Sequence, residues 1–179
     1  MTRLKPLTPA EMTPAQLKII ATKAERATQS PFMTFLHQPV LAEKIMQIRP
    51  YWHQTTLEYG LLEFAIAIVA RKYTIQFLWL NHAKQSLDNG IDADVIEAIK
   101  HKRQPAFKKE TEAFVYDFTM KMLDDAVIDD ELYARGMRIL GKVALIDLVF
   151  TIGFYLMVAF QNRTFGLGLS EGSIPELED

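Results

Sequence analysis

Between Leu57 and Gly90 apolar residues crowd into two runs, LEYGLLEFAIAIVARK and TIQFLWLNHAKQSLDNG, which meet at Lys72-Tyr73-Thr74. Each run is long enough for a helix, and so short a junction folds the second back on the first as an antiparallel pair. The polar groups inside this hairpin are chiefly Glu63 and His82. Their midpoint falls at the Lys72/Tyr73 junction, and both arms rise by ~1.5 Å per residue, so the two side chains stand at one height above the turn. The pattern therefore predicts a carboxylate facing an imidazole across an apolar interface.

The remaining elements follow from punctuation by Pro, Gly and capping residues. Thr13-Pro14-Ala15-Gln16 combines a capping hydroxyl, a Pro at the first helical position and a Gln three residues on, which starts a helix running to about Thr28 before Ser30-Pro31. Pro39 opens VLAEKIMQI and Pro50 closes it; Tyr51-Trp52-His53 then forms an aromatic connection. Thr55 and Glu58 offer a capping box ahead of the hairpin, and Asn89-Gly90 a left-handed stop at its end. Asp92 caps the short segment DADVIEAI. Helical spacing resumes over 108–125, with Phe114, Phe118, Met122 and Leu123 along one side, and again over 128–140, where Gly141 stops it.

A last helix is expected from Lys142 to about Asn162. Its stretch from Val143 to Phe160 is almost unbroken apolar sequence, long enough to span a bilayer. Asp147 argues against that, since a carboxylate at a membrane centre costs ~2.5–3.5 kcal/mol. The expectation is instead a helix buried by its own domain and by a partner subunit, with no membrane involved. With no alternating strand pattern and no internal repeat of solenoid period, the fold class is all-α: a helical bundle around the hairpin at 57–90.

Composition narrows the field further. A chain of 179 residues, 49% of them apolar, supports a single domain over 1–179 with a sizeable core. The tail at 167–179 is polar and reads as loose or wrapped on a partner subunit. A formal net charge of −2, with no basic stripe, sets nucleic acid aside as a partner. The absence of cysteine removes disulfides, zinc thiolates, iron–sulfur clusters and thiol redox chemistry. MTRLKPLTPAEM lacks the apolar core of a secretory signal, so a cytoplasmic address is expected.

On the second arm Ile75, Leu78, Trp79 and His82 fall at i, i+3, i+4 and i+7 and share one helix face. An imidazole presented on an apolar wall can give or take a proton near neutral pH. The bland alternative is that Glu63 and His82 merely satisfy each other's hydrogen bonds in the core. An ionisable pair, however, stabilises a core little better than an apolar one, which favours a functional role. Asp147 and Tyr155, two turns apart with Thr151 between them, fit a structural polar role on the last helix better than a pocket wall. His53 is a candidate pocket residue, while His37 and His101 belong to the surface. A metal site would need His53 as second imidazole; no His spacing supports one, so no metal ligands are assigned.

Several of these residues carry a resemblance. Glu63 on the first helix, Phe77-Leu78-Trp79-Leu80-Asn81-His82 on the second, Gly90 eight residues beyond the His and the capped Ile91-Asp92-Ala93-Asp94-Val95-Ile96 resemble the carboxymuconolactone decarboxylase family. Its wider group includes the alkyl hydroperoxidase D proteins. The similarity extends upstream to Phe32-Met33-Thr34-Phe35-Leu36-His37-Gln38-Pro39, and downstream to Asp147, Gly153-Phe154-Tyr155-Leu156-Met157-Val158, Asn162 and Phe165. It covers about residues 30–166 and is carried by order and spacing rather than by one motif. The resemblance implies an alkyl hydroperoxidase D-like helical bundle, assembled as dimers, trimers or hexamers, with a pocket near the subunit interface. Ile75 and Leu78 stand where the hydroperoxidase branch has its C-x-x-C thiols, so the resemblance is to the thiol-free branch and thiol peroxidase activity is ruled out. Leu78 also replaces a common Glu, and Asp147 stands where Glu is usual.

The expectation is a decarboxylase-like lyase that needs no cofactor and moves a proton on a small lactone, enol or keto acid, by decarboxylation, isomerisation, hydration or dehydration. Glu63 and His82 are its catalytic residues; Trp79, Leu78, Ile75, Tyr155 and His53 line the substrate. The alternative left open is a non-catalytic helical homo-oligomer that binds an apolar ligand or partner.

Overall fold

Every element among residues 2–21, 32–124, 127–169 and 172–178, which the computed structural model describes, is helical. In chain order these are α1 (Pro14–Ala21), α2 (Phe32–Phe35), α3 (Pro39–Ile48), α4 (Tyr59–Lys72), α5 (Gln76–Asp88), α6 (Ala93–Lys100), α7 (Glu110–Asp124), α8 (Asp130–Ile139) and α9 (Gly141–Phe165), with 3-10 turns at Pro9–Glu11 and Arg49–His53. The all-α class follows directly from the helical periodicity of the sequence. The expected extension of the first helix to about Thr28 lies outside the described residues. The chain is built as two compact units, Met1–Gln54 with Phe160–Ser173, and Thr55–Ala159 with Ile174–Asp179.

In the first unit Thr13 and Gln16 form the expected capping box. Gln16 Oε1 accepts from Thr13 N at 2.7 Å, and Thr13 Oγ1 accepts from Gln16 N at 3.3 Å. The other end of the Gln16 side chain donates to the carbonyl of Leu36 at 2.7 Å, tying α1 to the segment after α2. Phe32, Met33, Phe35 and Leu36 are buried, and Ala42 and Ile45 supply the inner face of α3.

The second unit is organised by α4. Every residue from Gly60 to Arg71 is buried, because α5, α6 and α7 pack around this one helix. Gly60 allows its start to close on the end of α5: a Cβ there would lie 2.4 Å from the carbonyl oxygen of Asn89. Gly90, at φ +90°, turns the chain from α5 towards α6. Asp92 caps α6 by accepting from Asp94 N at 2.9 Å, as its position predicts.

Two local expectations fail for non-local reasons. The Thr55/Glu58 capping box does not form: Glu58 makes no side-chain cap bond, and the neighbouring Thr56 donates through both N (2.7 Å) and Oγ1 (3.0 Å) to Asp147 Oδ2 on α9. A charged acceptor that satisfies two donors outweighs a neutral cap. The end of the tail, in turn, is held by its own chain. Gln76 Oε1 accepts from the backbone N–H groups of Glu176 and Leu177, each at 3.0 Å, and Gln76 Nε2 donates to the Leu177 carbonyl at 2.6 Å. Leu177 is buried, and Trp79 Nε1 donates to Glu176 Oε2 at 3.2 Å.

Helix α9 is long and apolar enough to cross a membrane by length and composition, yet its surroundings divide it lengthwise. Ala144, Leu145, Asp147, Leu148, Thr151 and Ile152 are buried, while Val143, Ile146 and Val149 are 54%, 59% and 41% exposed.

Candidate functional site

The α4–α5 hairpin brings together the two polar residues that its sequence isolates. Glu63 Oε2 and His82 Nδ1 are 2.5 Å apart, with 6% and 16% of their side chains exposed. This is the geometry expected of two residues equidistant from the turn. An ionised carboxylate can only accept, so Nδ1 is the donor in this contact and the second ring nitrogen, Nε2, lies outside it. Among the described residues nothing hydrogen-bonds Nε2. The backbone carbonyl of His82 accepts from Ser86 Oγ at 2.7 Å, a contact within α5.

Two tyrosines complete the immediate surroundings. The ring of Tyr155, from α9, meets His82 edge-on, with centroids 5.0 Å apart and planes at 79°. Tyr59, at the start of α4, lies one helical turn from Glu63, near enough for the carboxylate to act on its phenol. Burial of its hydroxyl, then its side-chain interaction with Glu63 and the neighbouring negative charge, push the Tyr59 pKa up to about 12. Tyr59 is absent from the residues singled out by sequence, although the i, i+4 spacing to Glu63 is a signal that identifies it.

The other predicted residues distribute differently. Ile75, Leu78 and Trp79 lie on the α5 face that carries His82, but they are 1–2% exposed and pack as core. Asp147, 1% exposed, holds Thr56, a structural role consistent with its place on α9. His53 belongs to the first unit, exposed in the 3-10 turn at Arg49–His53. His37 and His101 are exposed; His37 Nε2 lies 3.1 Å from the Lys5 carbonyl and His101 Nε2 2.9 Å from Glu97 Oε1. Among the described residues no group of three or more His, Asp and Glu side chains is clustered closely enough to hold a metal ion.

Chemically, the arrangement can serve as a one-proton relay, in which Nε2 would take or give the proton and Glu63 would compensate the imidazolium charge and fix the ring's orientation. Comparison with known proteins leaves the site to be read from its own geometry: the chain matches no family model, no curated protein and no solved structure.

Proposed function

We propose that the chain is an enzyme that catalyses proton transfer on a small lactone, enol or keto acid, without a cofactor, in the manner its resemblance to thiol-free carboxymuconolactone decarboxylases implies. The single observation that carries this reading is the 2.5 Å contact between Glu63 Oε2 and His82 Nδ1, which leaves Nε2 as the proton-handling atom. His82 abstracts a proton adjacent to a carbonyl, the enolate forms, and the imidazolium returns the proton to carbon or to a leaving oxygen. Glu63 acts through His82 as a positioning residue rather than as a second acid. The alkyl hydroperoxidase D-like bundle type and a cytoplasmic address belong to the same proposal.

Self-association is part of it. The stripe of Val143, Ile146 and Val149 is apolar and exposed on one face of α9, and a second copy of the chain covering it would remove that surface from water.

Solvent-exchange NMR tests the reaction without knowledge of the product. Candidate γ-lactones and β-keto acids incubated in D₂O with the protein are expected to exchange their acidic carbon-bound hydrogens, and His82→Gln should slow that exchange by ~10²–10⁴-fold. Exchange at the wild-type rate in His82→Gln would refute the assignment. A second reading is favoured by the near-complete burial of Ile75, Leu78 and Trp79: the pair serves as interior scaffolding in a non-catalytic oligomer. It predicts no exchange with any substrate and a pronounced loss of thermal stability in the same variant.

A further inference from the structure

At the turn end of the hairpin the second unit contains a cavity of about 360 Å³, lined by Ile68, Arg71, Lys72, Ile99, Lys102, Arg103, Tyr116 and Met120. None of these residues belongs to the Glu63–His82 site. The lining holds four cations and no carboxylate, in a chain whose net charge is −2. Its uncharged part is apolar and aromatic, contributed by Ile68, Ile99, Met120 and Tyr116. Burial, and then the charge of Asp117, raise the Tyr116 pKa, so its phenol stays protonated as a donor.

One of the four cations, Arg71, is buried, while Lys72, Lys102 and Arg103 are exposed at the rim. Arg71 is 5% exposed; its guanidinium donates to Thr74 Oγ1 at 3.1 Å and to the Glu178 carbonyl at 2.8 Å. Lys72 pairs with Asp124. Among the described residues neither Lys102 nor Arg103 has a carboxylate partner.

Backbone conformation points to the same place. Among the described residues the two non-glycine residues with positive φ are Thr74 (+51°) and Lys102 (+55°), and both border this cavity or hold its lining. Each follows a helix that closes with paired backbone bonds: Thr74 N to Arg71 O with Ile75 N to Ala70 O, and Lys102 N to Ile99 O with Arg103 N to Ala98 O. In such a closure the left-handed position ordinarily belongs to glycine, and a β-branched or long side chain there is sterically disfavoured. A disfavoured residue is retained where its side chain is used. Thr74 uses its hydroxyl to hold Arg71, and Lys102 lines the cavity.

We infer that this cavity binds a small organic anion, a dicarboxylate or phosphate monoester with a compact apolar body, between the Arg71, Lys102 and Arg103 cations and the Ile68–Ile99–Met120 floor. A volume near the lower end of the range for small-molecule sites suits a compact ligand of this kind. Guanidinium groups match the planar fork of a carboxylate or phosphate, and the ammonium groups add point charge.

Calorimetric titration of the full chain at low ionic strength tests the inference, using benzene-1,3-dicarboxylate, phenyl phosphate, inorganic phosphate and the neutral benzene-1,3-dicarboxamide. Saturable one-to-one binding of the dicarboxylate or of phenyl phosphate is expected, with the diamide silent and inorganic phosphate weaker because it leaves the apolar floor uncovered. Which of the two organic probes binds more tightly separates carboxylate from phosphate ligands. Lys102→Gly is the decisive variant, because it relieves the backbone constraint while removing the charge. It should leave the melting temperature unchanged or raised and weaken binding by roughly tenfold or more, as should Arg103→Gln. His82→Gln should bind as the wild type does. No saturable binding of either organic anion, equal binding of the diamide, or full affinity in both Lys102→Gly and Arg103→Gln overturns the inference.

Discussion

Among the buried carboxylates of the second unit, Glu63 and Asp147 have partners that differ in kind. Glu63, 4% exposed on α4, meets an imidazole at 2.5 Å. Asp147, 1% exposed on α9, accepts from a backbone N–H and a hydroxyl of Thr56, neither of which titrates in the physiological range. Burial alone therefore does not distinguish a working carboxylate from a structural one, since both are removed from water to a similar degree. The partner does: an acid that faces a titratable ring can store and release a charge, whereas one that faces a main-chain donor can only hold a segment in place.

The widest separation between the two is expected in rate. Glu63→Gln keeps the size of the side chain but loses the charge that supports a protonated His82, and should slow solvent exchange on a responsive substrate by ~10²-fold or more. Asp147→Asn should leave that rate within about twofold, since its bonds to Thr56 lie off the proton's path. Histidine ¹⁵N shifts give a substrate-free version of the same comparison. His82 should be held as the Nδ1–H tautomer in the wild type and in Asp147→Asn, and should lose that preference in Glu63→Gln. Retention of one tautomer in all three would place Glu63 beside Asp147 as structural.

In stability the order reverses. Asp147→Ala leaves both Thr56 donors at the entrance to α4 without their acceptor. The loss of charge-assisted bonds should cost ~2–3 kcal/mol, a fall in Tm of roughly 4–12 °C for a chain of this size. Thermal unfolding followed by circular dichroism checks it; a fall of less than about 2 °C would mean that the Thr56 clasp contributes little.

The contrast between the two carboxylates also explains how far the sequence could be read. Glu63 and His82 are related by counting from a turn, and a hairpin obeys local rules, so their meeting is legible. Pro39, Gly90, Asp92 and Gly141 mark boundaries for the same reason: each acts through its own φ, its missing N–H or its own capping oxygen. The Thr56–Asp147 clasp joins residues 91 apart, and no local pattern announces it. The local capping box predicted at that point, Thr55 with Glu58, is displaced by it. The tail shows a similar limit, since its anchorage depends on Gln76, an unremarkable amide until Glu176 and Leu177 lie beside it. On α9 composition is uniform, so which face is buried is decided by neighbours and not by periodicity. Tyr59 was within reach, one turn from Glu63 on the same helix, but its signal is a single aromatic among many apolar positions.

Tyr59 supplies the smallest and most specific test, because it touches the Glu63 side of the comparison and not the Asp147 side. Its folded-state pKa is raised from 10.0 to about 12, so the native state holds the phenolic proton more tightly than the unfolded chain does. By linkage, the corresponding stability is fully present below pH 10 and is lost progressively as pH rises through about 12. Tyr59→Phe removes the titrating group together with its interaction with Glu63. The variant should therefore be somewhat less stable than the wild type at neutral pH, and the gap should close as pH rises from about 10 towards 12. The residue is 40% exposed, so solvent screens the effect, and the informative quantity is the change in the difference between the two melting curves with pH, not its absolute size. The other titratable groups are present in both proteins and cancel in that difference. A gap that stays constant across this window would show that the phenol does not share the Glu63 carboxylate with His82, and the site would reduce to the carboxylate–imidazole pair alone.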